Sequence, residues 1–69
     1  MVDVEKYANL VKDSGIKKSF LAERLGISYQ GYINKETGKS DFTASEVAVL
    51  KDLLHLSNKD VADIFLRRE

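Results

Sequence analysis

Cysteine and proline are absent from the 69-residue chain, and histidine occurs once, as His55. Without cysteine there is no disulfide framework and no thiolate metal site, which fits a reducing cytosol. A single histidine is too few for a zinc site or a histidine-based triad. No apolar run approaches the roughly 20 residues that span a bilayer. The opening stretch MVDVEKYANL carries acids where a signal peptide would have its basic region. No nucleophile has a plausible base and no glycine-rich loop cradles a phosphate, so neither enzyme activity nor a cofactor is expected. The length leaves room for one small domain and none for two catalytic lobes, a repeat array or a dinucleotide-binding fold. A chain of this size buries only about 60% of its unfolded surface, so its core is marginal. At 43% hydrophobic and 32% charged it is nevertheless too apolar and too balanced to be disordered. The expectation is a soluble cytoplasmic module.

Net charge is zero, but its distribution is uneven. Residues 1–16 sum to −1 and residues 41–69 to −2. Residues 17–40 carry Lys17, Lys18, Arg24, Lys35 and Lys39 against Glu23 and Glu36, a net of +3. A basic middle third between acidic flanks is a weak pointer toward an anionic partner.

Strands find no support, because β-branched residues nowhere alternate with polar ones for long. Helix starts recur instead. An apolar residue, a capping side chain and an apolar partner four residues further on appear as Val2-Asp3…Tyr7, Ile27-Ser28…Tyr32, Phe42-Thr43…Val47 and Leu56-Ser57…Val61. Glu46 follows Thr43 by three residues, a capping box, and Asp60 stands likewise after Ser57. A further start, Ile16-Lys17…Leu21, has lysine where a cap belongs. Gly15, Gly26 and Gly38 fall where helices would end in a left-handed residue. These signals predict five short helices near 3–14, 17–25, 28–37, 43–55 and 57–66. Core stripes are expected at Val4, Tyr7, Ala8 and Val11, at Leu21, Ala22 and Leu25, and at Val47, Leu50 and Leu54. The fold class is all-α, a compact five-helix bundle forming one domain.

Residues 17–40, KKSFLAERLGISYQGYINKETGKS, hold the most specific pattern. A short helix, a turn of a few residues containing Gly26 and a second helix have helix-turn-helix spacing, placed at 17–37. Ala22 falls where the two helices cross closely, and Gly26 where the turn needs positive φ. Leu21, Leu25, Ile27 and Tyr32 fall where the pair must bury apolar surface. Phe20 is either core or an exposed patch for a partner. His55 is placed to complement the dipole of the fourth helix. Lys17-Lys18 and Arg67-Arg68 read, taken alone, as solvated charges.

This stretch resembles the helix-turn-helix family of lambdoid phage repressors and Cro proteins, in its short form from phages of Gram-positive bacteria. The likeness covers about residues 4–66, with DFTASEVAVLKDLLHLSNKDVADIF similar to the family's fourth and fifth helices. The resemblance implies a homodimer that places each recognition helix in the major groove of an operator half-site. It further implies base contacts by Tyr29, Gln30, Ile33, Asn34 and Thr37. Gln30 and Asn34 are the best readers, since a carboxamide can be bidentate to adenine. Lys18, Ser19, Ser28, Lys39 and Ser40 would hold the phosphate backbone. The chain departs from the family pattern in two ways. Lys35 and Glu36 are charged where an apolar residue is usual at one or the other, and Lys17 replaces a Ser or Thr cap. The first leaves room for fraying of the recognition helix and for low DNA affinity.

The apolar run at Val61, Ile64, Phe65 and Leu66 is the expected dimer surface, within a helix and tail at 57–69. The expected function is a DNA-binding regulator of a phage or prophage, repressing by occlusion of polymerase. The alternative keeps the fold but binds a protein, as an antirepressor or modulator of a phage repressor. An antitoxin or controller protein would share the DNA chemistry.

Overall fold

A computed structural model describes residues 2–66. Its elements are α1 (Val4–Ser14), α2 (Lys18–Leu25), α3 (Tyr29–Glu36), α4 (Ala44–Leu53) and α5 (Asn58–Phe65), and no strand occurs among the described residues. The small all-helical bundle predicted from the capping pattern is the observed architecture. Its Cα radius of gyration is 10.8 Å, close to the roughly 11 Å expected for a compact domain of this length.

The helix starts form for the reason the sequence suggests. Asp3, Ser28, Thr43 and Ser57 each accept a backbone N–H three residues ahead, from Lys6, Gly31, Glu46 and Asp60. Both capping boxes close, since Glu46 accepts the Thr43 N–H at 2.8 Å and Asp60 the Ser57 N–H at 3.0 Å. Lys17 is extended and makes no side-chain cap, so α2 starts without one.

Two helix ends redirect the chain in different ways. Gly26 has φ +72°, and its own N–H and that of Ile27 close the end of α2 on the Glu23 and Ala22 carbonyls. That chain reversal brings α3 back against α2 within a few residues. The end of α4 differs from expectation. The helix stops at Leu53, and His55 sits just beyond it with φ +54°. The N–H of Leu56 then bonds the Lys51 carbonyl at 2.9 Å, and Leu56 is buried. Anchoring of that leucine favours the left-handed residue before it, which sequence alone would assign to glycine.

Helix α2 packs on α3 and α4, α1 on α3 and α5, and α4 on α5. Tyr7, Leu21, Tyr32, Leu50 and Ile64 are fully buried at the centre. Phe42, in the loop before α4, joins the layers by meeting Tyr7 at 5.5 Å, Phe65 at 5.5 Å and Tyr32 at 6.3 Å between ring centroids. The N-terminus is tied to α5 by the Asp3 N–H, which bonds the Ile64 carbonyl at 2.6 Å. The core face of α1 is rotated from the predicted stripe: Tyr7 and Val11 are buried and Leu10 half-buried, while Val4 and Ala8 are exposed. Packing against both α3 and α5 draws Leu10 inward, where the sequence stripe had Val4 and Ala8.

The predicted dimer surface requires correction. Ile64 and Phe65 point into the protomer's own core, 0% and 7% exposed, and Val61 is half-buried against it. Consecutive residues on a helix differ by about 100°, so the pair spans the inward arc and Leu66 is left outside, 67% exposed. Arg67, Arg68 and the end of the predicted tail lie outside the described residues.

Candidate nucleic-acid interface

The face of α3 turned away from the core begins at Tyr29 and Gln30, both exposed, and continues through half-buried Asn34 to exposed Thr37. Gln30 Nε2 donates to Asn34 Oδ1 at 3.1 Å, the geometry of an i,i+4 pair. That bond uses one donor and one acceptor and leaves Gln30 Oε1 and the Asn34 amide group to face a ligand. The two carboxamides are therefore presented as a single preoriented donor–acceptor unit.

The other expected base readers are less available. Ile33 is half-buried and packs against the core. Thr37 donates its hydroxyl to the Ile33 carbonyl at 2.7 Å, which satisfies the helix end and commits that proton. Tyr29 is 53% exposed, and its hydroxyl makes no hydrogen bond among the described residues. Beyond the helix, the Lys39 and Ser40 N–H groups both bond the Asn34 carbonyl, at 2.8 and 3.2 Å. This folds the loop under the end of α3 and sets Lys39 and Ser40, both exposed, beside it. Gly38 makes the loop possible with φ +87°. Ser19 and Ser28 are exposed, the latter engaged as the α3 cap.

Lys18 is not a free cation. Its Nζ donates to Glu36 Oε2 at 3.0 Å, and Glu36 is only 4% exposed. Tyr32 donates to the other carboxylate oxygen at 3.3 Å, and the Tyr7 and Tyr32 hydroxyls meet at 2.9 Å. A buried hydrogen-bonded chain thus links α1, α3 and α2. Burial pushes the Tyr7 phenol up to about 12 and the Tyr32 phenol higher still, with Glu36 contributing to both.

Lys35 is likewise paired, with Glu46 of α4, and its side chain is 16% exposed. Burial raises the Glu46 carboxyl, but the Lys35 ammonium and the Thr43 hydrogen bonds outweigh it and hold the group below the usual carboxylate range. The charged residues at 35 and 36 therefore do not fray α3, which runs unbroken to Glu36. They bolt its last turn to α4 on one side and α2 on the other. Sequence held a partial signal for this, since Glu36 lies four residues after Tyr32 on the inward face.

Among the described residues no helix is long and apolar enough to cross a membrane, and no group of three or more His, Cys, Asp or Glu is placed to hold a metal ion. Exposed apolar groups are few. Phe20 on α2 is 44% exposed. An open cavity of about 360 Å³ is lined by Val2, Phe42, Ala44, Val47, Phe65 and Leu66, with Asp41. No family model, curated protein or solved structure matches the chain.

Proposed function

We propose that the chain is a sequence-specific DNA-binding transcriptional regulator of a phage or prophage, a repressor or Cro-like protein working in the bacterial cytoplasm. The observation that carries this reading is the exposed Gln30–Asn34 carboxamide pair on α3. It stands one turn from a side-chain-capped helix start and beside a loop carrying Lys39 and Ser40. Helix α3 is the recognition helix, α2 lies behind it, and the turn through Gly26 fixes the pair. A homodimer supplies a second α3 for the adjacent half-site, centred about 34 Å away. Its contact centres on Leu66 and the apolar cavity beside it, since Ile64 and Phe65 are occupied within the protomer.

The test begins with selection of binding sites from a random duplex pool, since the operator is unknown. Gln30→Ala and Asn34→Ala should each cost about 1–3 kcal/mol on the selected site and leave binding to random duplex unchanged. Lys39→Ala should weaken both and make the salt slope shallower by about 0.9 per lost phosphate contact. A selection that enriches no sequence would remove this reading.

A second reading, a modulator that binds a phage repressor protein, is favoured by the exposed Phe20 ring on α2. For such a protein Phe20→Ala abolishes activity while the Gln30 and Asn34 variants keep it.

A further inference from the structure

Of the five bases in the middle third, Lys18 and Lys35 are held by carboxylates, and Lys17, Arg24 and Lys39 have no such partner among the described residues. The two pairs are unlike in exposure. Lys35 is largely enclosed, whereas the Lys18 side chain is 44% exposed while its partner Glu36 is 6% exposed. An ammonium group at the surface is thus tethered from beneath by a buried carboxylate.

We propose that Glu36 sets the strength of sequence-independent DNA binding by withholding Lys18 from phosphate. The inference rests on the DNA-binding reading and adds to it a residue that touches no DNA. Lys18 begins α2 at an uncapped helix start, where it would otherwise serve as a mobile cation for any passing phosphodiester. Release of Lys18 to a phosphate would leave Glu36 buried with the Tyr32 hydroxyl as its remaining side-chain donor. An uncompensated buried carboxylate costs far more than a screened surface contact returns. Lys18 therefore stays with Glu36 when a duplex arrives. Phosphate contacts are blind to sequence, so removing one lowers affinity for all DNA and leaves the base contacts a larger share of the binding. Glu36 acts through Lys18, and its signature is a salt slope, which a purely structural residue would not alter.

The experiment measures binding of a random-sequence duplex across a salt series for wild type, Glu36→Gln and the double variant Lys18→Gln/Glu36→Gln. Glutamine at 36 retains an acceptor for the Tyr32 hydroxyl, and circular dichroism confirms the fold of each variant. Glu36→Gln should steepen the slope of log K against log salt by about 0.9 per protomer, as expected for one added phosphate contact. With equal affinity at 1 M salt, each added contact makes binding about eightfold tighter at 0.1 M, so a dimer with two gains about the square of that. The double variant should return to the wild-type slope. A Glu36→Gln slope equal to wild type overturns the proposal and leaves the DNA reading standing. A double variant shallower than wild type also overturns it, because Lys18 would already be on a phosphate. That comparison remains decisive even where Glu36→Gln alone does not fold. Should no variant bind duplex at low salt, the DNA reading falls and the proposal with it.

Discussion

Phe65 tests whether the apolar end of α5 belongs to the core or to a partner. Its ring is 7% exposed and lies edge-on to Phe42 at 5.5 Å and 85° and to Tyr7 at 5.7 Å and 61°. Truncation to alanine removes a buried aromatic side chain, leaves a cavity and breaks both ring contacts. Such changes cost about 3–5 kcal/mol. A domain of 69 residues has a total stability of roughly 3–10 kcal/mol. Phe65→Ala should therefore be unfolded or close to it, with the melting temperature lowered by at least about 12 °C. Leu66→Ala, at a side chain 67% exposed, should stay within about 0.5 kcal/mol in the stability of the protomer. Urea unfolding followed by circular dichroism, repeated at several protein concentrations, separates the two sites. A Phe65→Ala protein that keeps its unfolding midpoint but sediments as a monomer where wild type is a dimer would refute the core assignment.

Two further perturbations address the caps and the buried hydroxyls. Thr43→Ala orphans the Glu46 N–H and should cost about 1 kcal/mol in urea unfolding, whereas Lys17→Ser supplies the missing α2 cap and should gain on the order of 0.5 kcal/mol. The raised Tyr7 phenol predicts alkaline unfolding: the unfolded state releases its proton near the ordinary value of 10.0 and the folded state near 12. Its contribution is thus complete below pH 10 and lost progressively as pH rises toward 12. Melting temperature measured over that range should fall less steeply for Tyr7→Phe than for wild type, and identical slopes would count against the buried pair.

The local part of this fold was legible because each signal lies within a few residues of its effect. A cap and its N–H are three residues apart, and a left-handed glycine acts on the carbonyls just before it. All four expected side-chain caps formed, and the uncapped start at Lys17 was visible as such. What sequence left out depends on separation. Lys18 meets Glu36 across 18 residues and Lys35 meets Glu46 across 11, so no helical periodicity reveals either pair. Taken alone, Lys18 reads as a solvated charge; the family resemblance makes it a phosphate contact and Glu36 a departure from the pattern. The tail shows the converse failure. Ile64, Phe65 and Leu66 cannot all face one core, which is true of Leu66, but two neighbours can share a wide inward arc when α1, α4 and Phe42 surround the helix end. The Gln30–Asn34 pair was legible as chemistry but not as geometry, since either carboxamide had several rotamers open to it.

If the chain reads DNA as proposed, the two ion pairs at the end of α3 also bear on how a neutral domain would hold an anionic polymer. An apolar residue at 36 would anchor the helix through burial and leave Lys18 free to add to the positive field. Anchoring through charge instead matches the cations that hold α3 with carboxylates, Lys18 at the surface and Lys35 largely enclosed. The electrostatic attraction available for DNA then falls to Lys17, Arg24 and Lys39, offset by Glu23. On the proposed reading, affinity would then come in larger part from the carboxamide pair, from amides and hydroxyls placed against phosphates, and from the doubling of contacts in a dimer. Base contacts discriminate, whereas phosphate contacts hold every sequence alike. On that reading, an α3 fastened by ion pairs would suit a regulator that leaves non-operator DNA readily and stays where the hydrogen bonds match.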